Sequence, residues 1–424
     1  MINAIGGLRR DADPVNIFKH RWLQSFGYAL AILYLLYFVG LYRAGTWIVH
    51  SSGRPIYTDF AVWWMGGKQA LHGYAATLYD PVEYARIQTA LFRPGEAFYL
   101  NWPSYPPTFF LVLAPLALLP YAAALITWDA VTLVGCVVMV YLIVRRRAAI
   151  ALTLAAPFTA WNFIAAQNGF LTASLLGGSL LFLQRRPGLA GVFIGCLTYK
   201  PQYGILFPVA LVAARQWRAI ASAAITTALL AGASIAAFGA GAWAAFPRGF
   251  VVQAGMSLQA AAGSNWGYLQ TMYGLVRHLH GGTGLAWLAQ GVTTAGLAVI
   301  VWLVWRSRVC YALKAAALAA AALLATPYAF AYDMAAIVIP AAFLADDQLR
   351  RGLLPGDKAI WIVLFAAPLA VLVTLGDSAH HTTFGGTPIS LLTALALFAV
   401  ILRRVLAVPL SAEPDRQPIV RAST

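Results

Sequence analysis

The chain has 424 residues, 61% of them hydrophobic and only 10% charged, with a mean hydropathy of +0.73. Soluble domains carry about 25% charged residues, so the composition excludes a soluble fold and predicts an all-α integral membrane protein that crosses the bilayer repeatedly. The net charge of +15 does not point to nucleic acid, because the Lys and Arg residues form short clusters between apolar runs, as cytoplasmic loop anchors do.

The N-terminal stretch with Arg9, Arg10, Lys19 and Arg21 is expected to be cytoplasmic, and the first apolar run, about 22–42, reads as a retained helix and not a cleaved leader. An external segment, 43–120, follows. It carries Asp59, Lys68, Asp80, Glu83, Arg86, Arg93 and Glu96 and is too polar to span yet rich in tryptophan. Its last part, Thr108 to Leu119, is an apolar run of about 12 residues around Pro115, short of the roughly 20 that a span needs, and is expected to lie at the interface or re-enter. Eleven further spans are expected at about 121–144, 148–166, 170–184, 187–199, 202–214, 219–239, 285–305, 312–330, 333–345, 359–376 and 388–402, giving twelve in all. A second external segment covers 240–284, and the proline-bearing tail 405–424 reads as a disordered cytoplasmic extension of one membrane domain, 1–404. This arrangement puts most of the 29 Lys and Arg residues on the cytoplasmic side.

Two of these spans are interrupted at Tyr199-Lys200-Pro201-Gln202. Proline and the residue before it oppose a continuous helix, so two half-length helices are expected to meet near Lys200. Non-helical backbone at that depth is tolerated where it is buried in protein or lines a watery cavity, and Lys200 is expected to face one.

Cys136, Cys196 and Cys310 lie in or beside apolar helices and read as core residues. His278, His280, His380 and His381 lack accompanying cysteines or carboxylates, so loop positions suit them better than a metal. No cofactor site is expected. Asp80 before Pro81 reads as a helix start, and Asp129, inside an apolar run, as one half of a pair.

Three stretches resemble glycosyltransferase family 87. They are Asp59-Phe60 leading to Gly73 and Tyr79-Asp80-Pro81; Tyr105-Pro106-Pro107 leading to Ala114-Pro115-Leu116 and Leu119-Pro120; and Gln167-Asn168-Gly169 leading to Arg185-Arg186-Pro187, Ala190-Gly191 and Lys200-Pro201-Gln202. The resemblance implies a GT-C type bundle and an inverting membrane glycosyltransferase. Its donor would be a polyprenyl-phosphate-linked sugar bound at the outer face, its acceptor a lipid or glycan, and its catalytic aspartate Asp59. The chain departs from the mannosyl members at Thr326-Pro327-Tyr328 to Asp333, where they carry histidines. The sugar is therefore left as a hexose, mannose among the candidates, or a pentose.

An inverting transfer needs one base within reach of the acceptor hydroxyl, and Asp59 fits that task, though an aspartate there also suits a helix cap. Lys200 is the candidate cation for the donor phosphate, with snorkelling to the interface as the plain alternative; Lys68, Arg86 and Arg93 are candidates for the same role. Gln167, Asn265, Trp266, Tyr328 and Asp333 are candidate substrate contacts, with pairing to a basic residue of the outer cavity as the equal alternative for Asp333. Aromatic residues also form belts at any membrane interface. A lipid flippase and a non-catalytic assembly subunit are the rival functional classes. The first would leave turnover nearly unchanged in Asp59→Asn, and the second would tolerate changes at both Asp59 and Lys200.

Overall fold

Backbone N–H and C=O groups in a bilayer must pair within their own segment. The computed structural model describes residues 21–56, 58–91, 105–264, 269–375 and 388–407, and these form helices with only isolated β-bridges. In chain order the helices are α1 (Arg21–Arg43), α2 (Asp59–Leu71), α3 (Pro81–Leu91), α4 (Phe110–Ala117), α5 (Tyr121–Val144), α6 (Arg147–Ala155), α7 (Pro157–Ala165), α8 (Gly169–Phe182) and α9 (Pro187–Cys196). They continue as α10 (Phe207–Ala213), α11 (Trp217–Phe238), α12 (Ala240–Ser264), α13 (Met272–His278), α14 (Thr283–Arg306), α15 (Tyr311–Leu324), α16 (Val338–Arg351), α17 (Asp357–Leu375) and α18 (Ile389–Ala407). Arg93, Asn265, Trp266, His380, His381 and the tail beyond residue 407 lie outside the described residues.

Among the described residues, five helices (α1, α5, α11, α14 and α18) are long and apolar enough to cross a membrane, or six if the bent pair α6–α7 is one span. Several of the twelve expected spans are shorter than a full crossing. The runs at 170–184, 187–199 and 202–214 hold helices of 14, 10 and 7 residues. The run at 148–166 is bent by 52°. Pro157 has no N–H to continue the ladder, and Ala156 before it is extended, with φ −61° and ψ 130°. The stretch after α1 holds α2, α3 and α4, with Asp80 capping α3 by accepting from the N–H groups of Val82 and Glu83. Within the segment 240–284, the described residues include the helices α12 and α13.

Small residues let these helices approach closely. A Cβ at Gly191 would fall 2.5 Å from the Ala219 carbonyl oxygen, and one at Gly195 would fall 2.5 Å from Thr226 Cβ, so the Gly-x-x-x-Gly face of α9 is pressed against α11. Gly67 does the same for α2 against α4, where a Cβ would stand 2.4 Å from the Leu113 carbonyl oxygen. The alanine-rich α15 is buried from Ala315 to Leu324. By contrast, Ile32, Leu33, Leu35 and Leu36 of α1 are exposed, as a lipid-facing surface requires.

One end of the bundle is locked by buried charge. Val144, Ala345 and Trp361 line one apolar cavity, and Tyr311 donates its hydroxyl to the Leu180 carbonyl, so the ends of α5, α8 and α16 meet the starts of α15 and α17 there. Arg404 of α18 donates from Nε to Asp347 Oδ2 at 2.6 Å and from Nη1 to Asp357, which also receives Arg403 and the Leu354 N–H. Removing one member of a buried pair strands the other charge and costs about 3–5 kcal/mol. Arg404→Met is expected to lower the melting temperature of the solubilised protein strongly. Arg350→Met should cost under about 1 kcal/mol, because its pair with Asp346 is 47% exposed on the arginine side. Equal melts for the two variants would remove the lock.

Candidate active site

The site is built on a tight turn between α7 and α8. Ala166 ends α7 in the left-handed region, at φ 50° and ψ 48°, and Gln167 and Asn168 follow before α8 begins at Gly169. Asn162 clamps the turn from both sides. Its Nδ2 donates to the Gln167 carbonyl at 3.0 Å and its Oδ1 accepts from the Gly169 N–H at 2.9 Å. The Trp128 indole of α5 adds a bond to the same Gln167 carbonyl at 3.3 Å. Gly169 is required here because a Cβ would lie 2.5 Å from the Tyr332 carbonyl oxygen. The turn is thereby pressed against the 3-10 segment Ala331–Ile337.

Asp59 reaches this turn from a distant part of the chain. It is the first residue of α2, and Thr58 occupies the cap position without making a side-chain cap. The Thr58 hydroxyl instead bonds the Tyr121 hydroxyl at 2.7 Å, and Tyr121 donates to the Ile56 carbonyl at 3.1 Å, which fixes the chain as it enters the helix. The carboxylate therefore sits in the first turn of α2, where the helix dipole favours negative charge. Its Oδ2 accepts from Gln167 Nε2 at 2.7 Å.

On the other side of the turn, Asn168 Nδ2 donates to the Tyr105 hydroxyl at 2.7 Å. The Tyr105 ring stacks on Tyr199 at 6.1 Å and lies 5.8 Å from Lys200 Nζ. Lys200 stands at the break between α9 and α10, flanked by the 3-10 turns Leu197–Tyr199 and Pro201–Tyr203. Its ammonium donates to Asp333 Oδ1 at 2.5 Å, with 6% of the lysine side chain and 1% of the aspartate side chain exposed. The rings of Tyr203 and Tyr332 lie 5.8 and 5.2 Å from the same ammonium. Asp333 is fixed in turn by the Phe330 N–H, which donates to Oδ2 at 3.1 Å. Asp59 lies close enough to act electrostatically on Lys200, Tyr105 and Tyr332.

A continuous chain of contacts thus runs from Asp59 through Gln167, Asn168, Tyr105 and Lys200 to Asp333. Four residues singled out from sequence (Asp59, Gln167, Lys200 and Asp333) meet in it. The others that are described stand apart from these contacts. Lys68 sits over the Trp64 ring at 4.1 Å, Arg86 is an exposed partner of Glu83 at 2.8 Å, and Tyr328 donates its N–H to Thr326 Oγ1 at 3.0 Å. Asn168 and Tyr105 stand in the stretches that carry the family resemblance, whereas Tyr199, Tyr203 and Tyr332 were not separable in sequence from ordinary buried aromatic residues. Adjacency to Lys200 and Asp333 was the signal for Tyr199 and Tyr332. Asp129 is 1% exposed, and neither carboxylate oxygen has a hydrogen-bond partner among the described residues, so the pairing expected for it is not found.

A model of glycosyltransferase family 87 matches residues 102–327, more than half of the chain. No curated protein and no solved structure matches it. Tyr105, Gln167, Asn168, Tyr199 and Lys200 fall inside the matched stretch, while Asp59 and Asp333 flank it. With its membrane-length helices, the chain belongs to glycosyltransferase family 87 and is a membrane glycosyltransferase.

Proposed function

We propose that the protein transfers a hexose, mannose among the candidates, or a pentose from a polyprenyl-phosphate donor to a lipid or glycan acceptor, with inversion, in a GT-C type bundle of about twelve membrane segments. The arginine-rich end of the bundle suits the cytoplasmic face. The end with Asp59 and Lys200 then opens on the extracytoplasmic side of a plasma or inner membrane. Asp59 is the general base. The acceptor oxygen attacks the anomeric carbon, the bond from that carbon to the phosphate oxygen breaks, and the electron pair leaves with polyprenyl phosphate. The acceptor proton passes to Asp59. One carboxylate suffices because the phosphate leaves as an anion and needs no acid, unlike the sugar alkoxide expelled in glycoside hydrolysis.

The observation that carries this reading is a carboxylate and an ammonium, from segments far apart in the chain, linked through one buried turn and the Tyr105 ring. Gln167 holds the base in one orientation. Lys200 has three N–H donors, and Asp333 takes one of them. The remaining donors can meet phosphate oxygens, and a cation there stabilises the charge that develops on the leaving group.

Transfer of radiolabelled sugar from polyprenyl-phosphate mannose, glucose and arabinose to membrane lipids tests this directly. Asp59→Asn is expected to lower turnover by about 10²–10⁴-fold with an unchanged melting temperature. Equal labelling by both proteins would remove Asp59 from the chemistry. A second test separates the ion pair's role in the fold from its role in catalysis. Lys200→Met and Asp333→Leu should each cost about 3–5 kcal/mol of stability, while the double variant regains much of it. If Lys200 holds the phosphate, the refolded double variant stays inactive; recovered transfer would assign the lysine to structure alone.

A further inference from the structure

We infer that Gln167 and Asn168 form a subsite for sugar hydroxyls, in which their two side-chain carbonyl oxygens accept from the glycosyl ring and Asn168 is a specificity-determining residue. The identity of the ring as a donor sugar rests on the function proposed above. The observation is independent of it. Gln167 Oε1 and Asn168 Oδ1 are buried and accept no hydrogen bond among the described residues, although both residues are among the most enclosed in the molecule, at 5% and 0% exposure. Nearly all buried polar atoms in folded proteins are paired, and an acceptor buried without a donor is destabilising. Two such atoms on adjacent residues, between the base and the ammonium, call for a ligand that brings O–H donors.

The orientation of the Gln167 amide follows from its other partner. Asp59 accepts only, so Gln167 must present Nε2 to it and leave Oε1 over. Asn168 uses Nδ2 on the Tyr105 hydroxyl, which leaves Oδ1. Neither oxygen can serve a phosphate, which at neutral pH offers acceptors and few donors. A sugar ring fits, since each hydroxyl carries one donor. The site then has two poles on either side of Tyr105, with acceptor oxygens for hydroxyls on the Asp59 side and a cation for phosphate on the Lys200 side. That order of groups places the ring of a sugar phosphate toward the base and its phosphate toward the lysine.

The test is tryptophan-fluorescence titration of the full chain in phospholipid nanodiscs, free of alkyl-glycoside detergents, whose heads are themselves sugars. Trp63 and Trp128 pack 5.5 Å apart beside the turn and act as reporters. The probes are a polyprenyl-phosphate hexose, its monodeoxy analogues and bare polyprenyl phosphate. At least one deoxy analogue is expected to bind wild type about ten- to a hundredfold more weakly than the parent. Asn168→Ala should weaken the parent to the level of that analogue and erase the difference. Tyr105→Phe removes the amide's partner but spares the oxygen, and should keep the difference. A deoxy pattern unaltered by Asn168→Ala, or a Tyr105→Phe variant that behaves like Asn168→Ala, would reduce Asn168 to a support for Tyr105 and overturn the inference. Bare polyprenyl phosphate binding as tightly as the parent would overturn it while leaving the phosphate reading intact. If wild type binds none of these lipids, the proposed donor fails, and the same titration is run with methyl glycosides. Binding that Asn168→Ala abolishes would then support the subsite with the acceptor as its sugar, and no binding of any glycoside would overturn it.

Discussion

An ammonium buried in an apolar bundle must meet a carboxylate, and much of the site depends on how this chain satisfies that demand. Lys200 can sit inside the protein because Asp333 lies 2.5 Å away and three tyrosine rings surround it. Each partner stands on non-helical backbone, one at the break between α9 and α10 and the other in the 3-10 segment Ala331–Ile337. Such backbone survives at membrane depth only where protein encloses it or where it lines a watery cavity. The ion pair and the two breaks are one constraint, since helical chain on either side would carry the pair apart or leave the unwound carbonyls facing lipid.

The same logic operates with the opposite outcome at the other end. Arg404, Asp347 and Asp357 also form a buried network, yet each carboxylate is consumed by several donors: Asp357 receives Arg403, Arg404, Gln348 and the Leu354 N–H. Saturated charge of this kind joins α16, α17 and α18 and leaves nothing for a ligand. The polar groups around Asn168 and Gln167 are unsaturated by comparison, with carbonyl oxygens that accept from no described residue. Buried polar residues alone do not separate scaffold from site, and unmet bonds do so only beside other reactive groups, as at Gln167 next to Asp59, since Asp129 has them too.

Much of this was legible in the sequence where a residue type forces a local conformation. Pro201 announced the break at Lys200, and the polar, tryptophan-rich stretch after the first apolar run singled out Asp59. The Gln167-Asn168-Gly169 signature marked the turn, and Gly169 proves indispensable to its packing. Pairings between distant segments were not legible. An apolar helix that is buried or lipid-facing on all sides has no amphipathic period to show which face meets which neighbour, so a basic partner for Asp333 could be expected but not that it is Lys200, 133 positions away. Hydropathy measures apolar length, and it reads the two halves of 148–166 as one run across a 52° bend and the short helices around Lys200 as spans.

Residues 102–327 include Gln167 and Lys200 but neither Asp59 nor Asp333. Each flanking carboxylate is nevertheless held by a side chain inside the matched stretch, Asp59 by Gln167 at 2.7 Å and Asp333 by Lys200 at 2.5 Å. The matched stretch therefore supplies the grips and the flanks supply the acids. A grip fixes its own position through local bonds, as Asn162 does for the Gln167 turn and the two 3-10 turns do for Lys200. An acid arriving from a flank needs only a backbone that ends in the right place, which α2 provides for Asp59 and the Phe330 N–H provides for Asp333. Local sequence dictates the first kind of placement and tertiary packing the second.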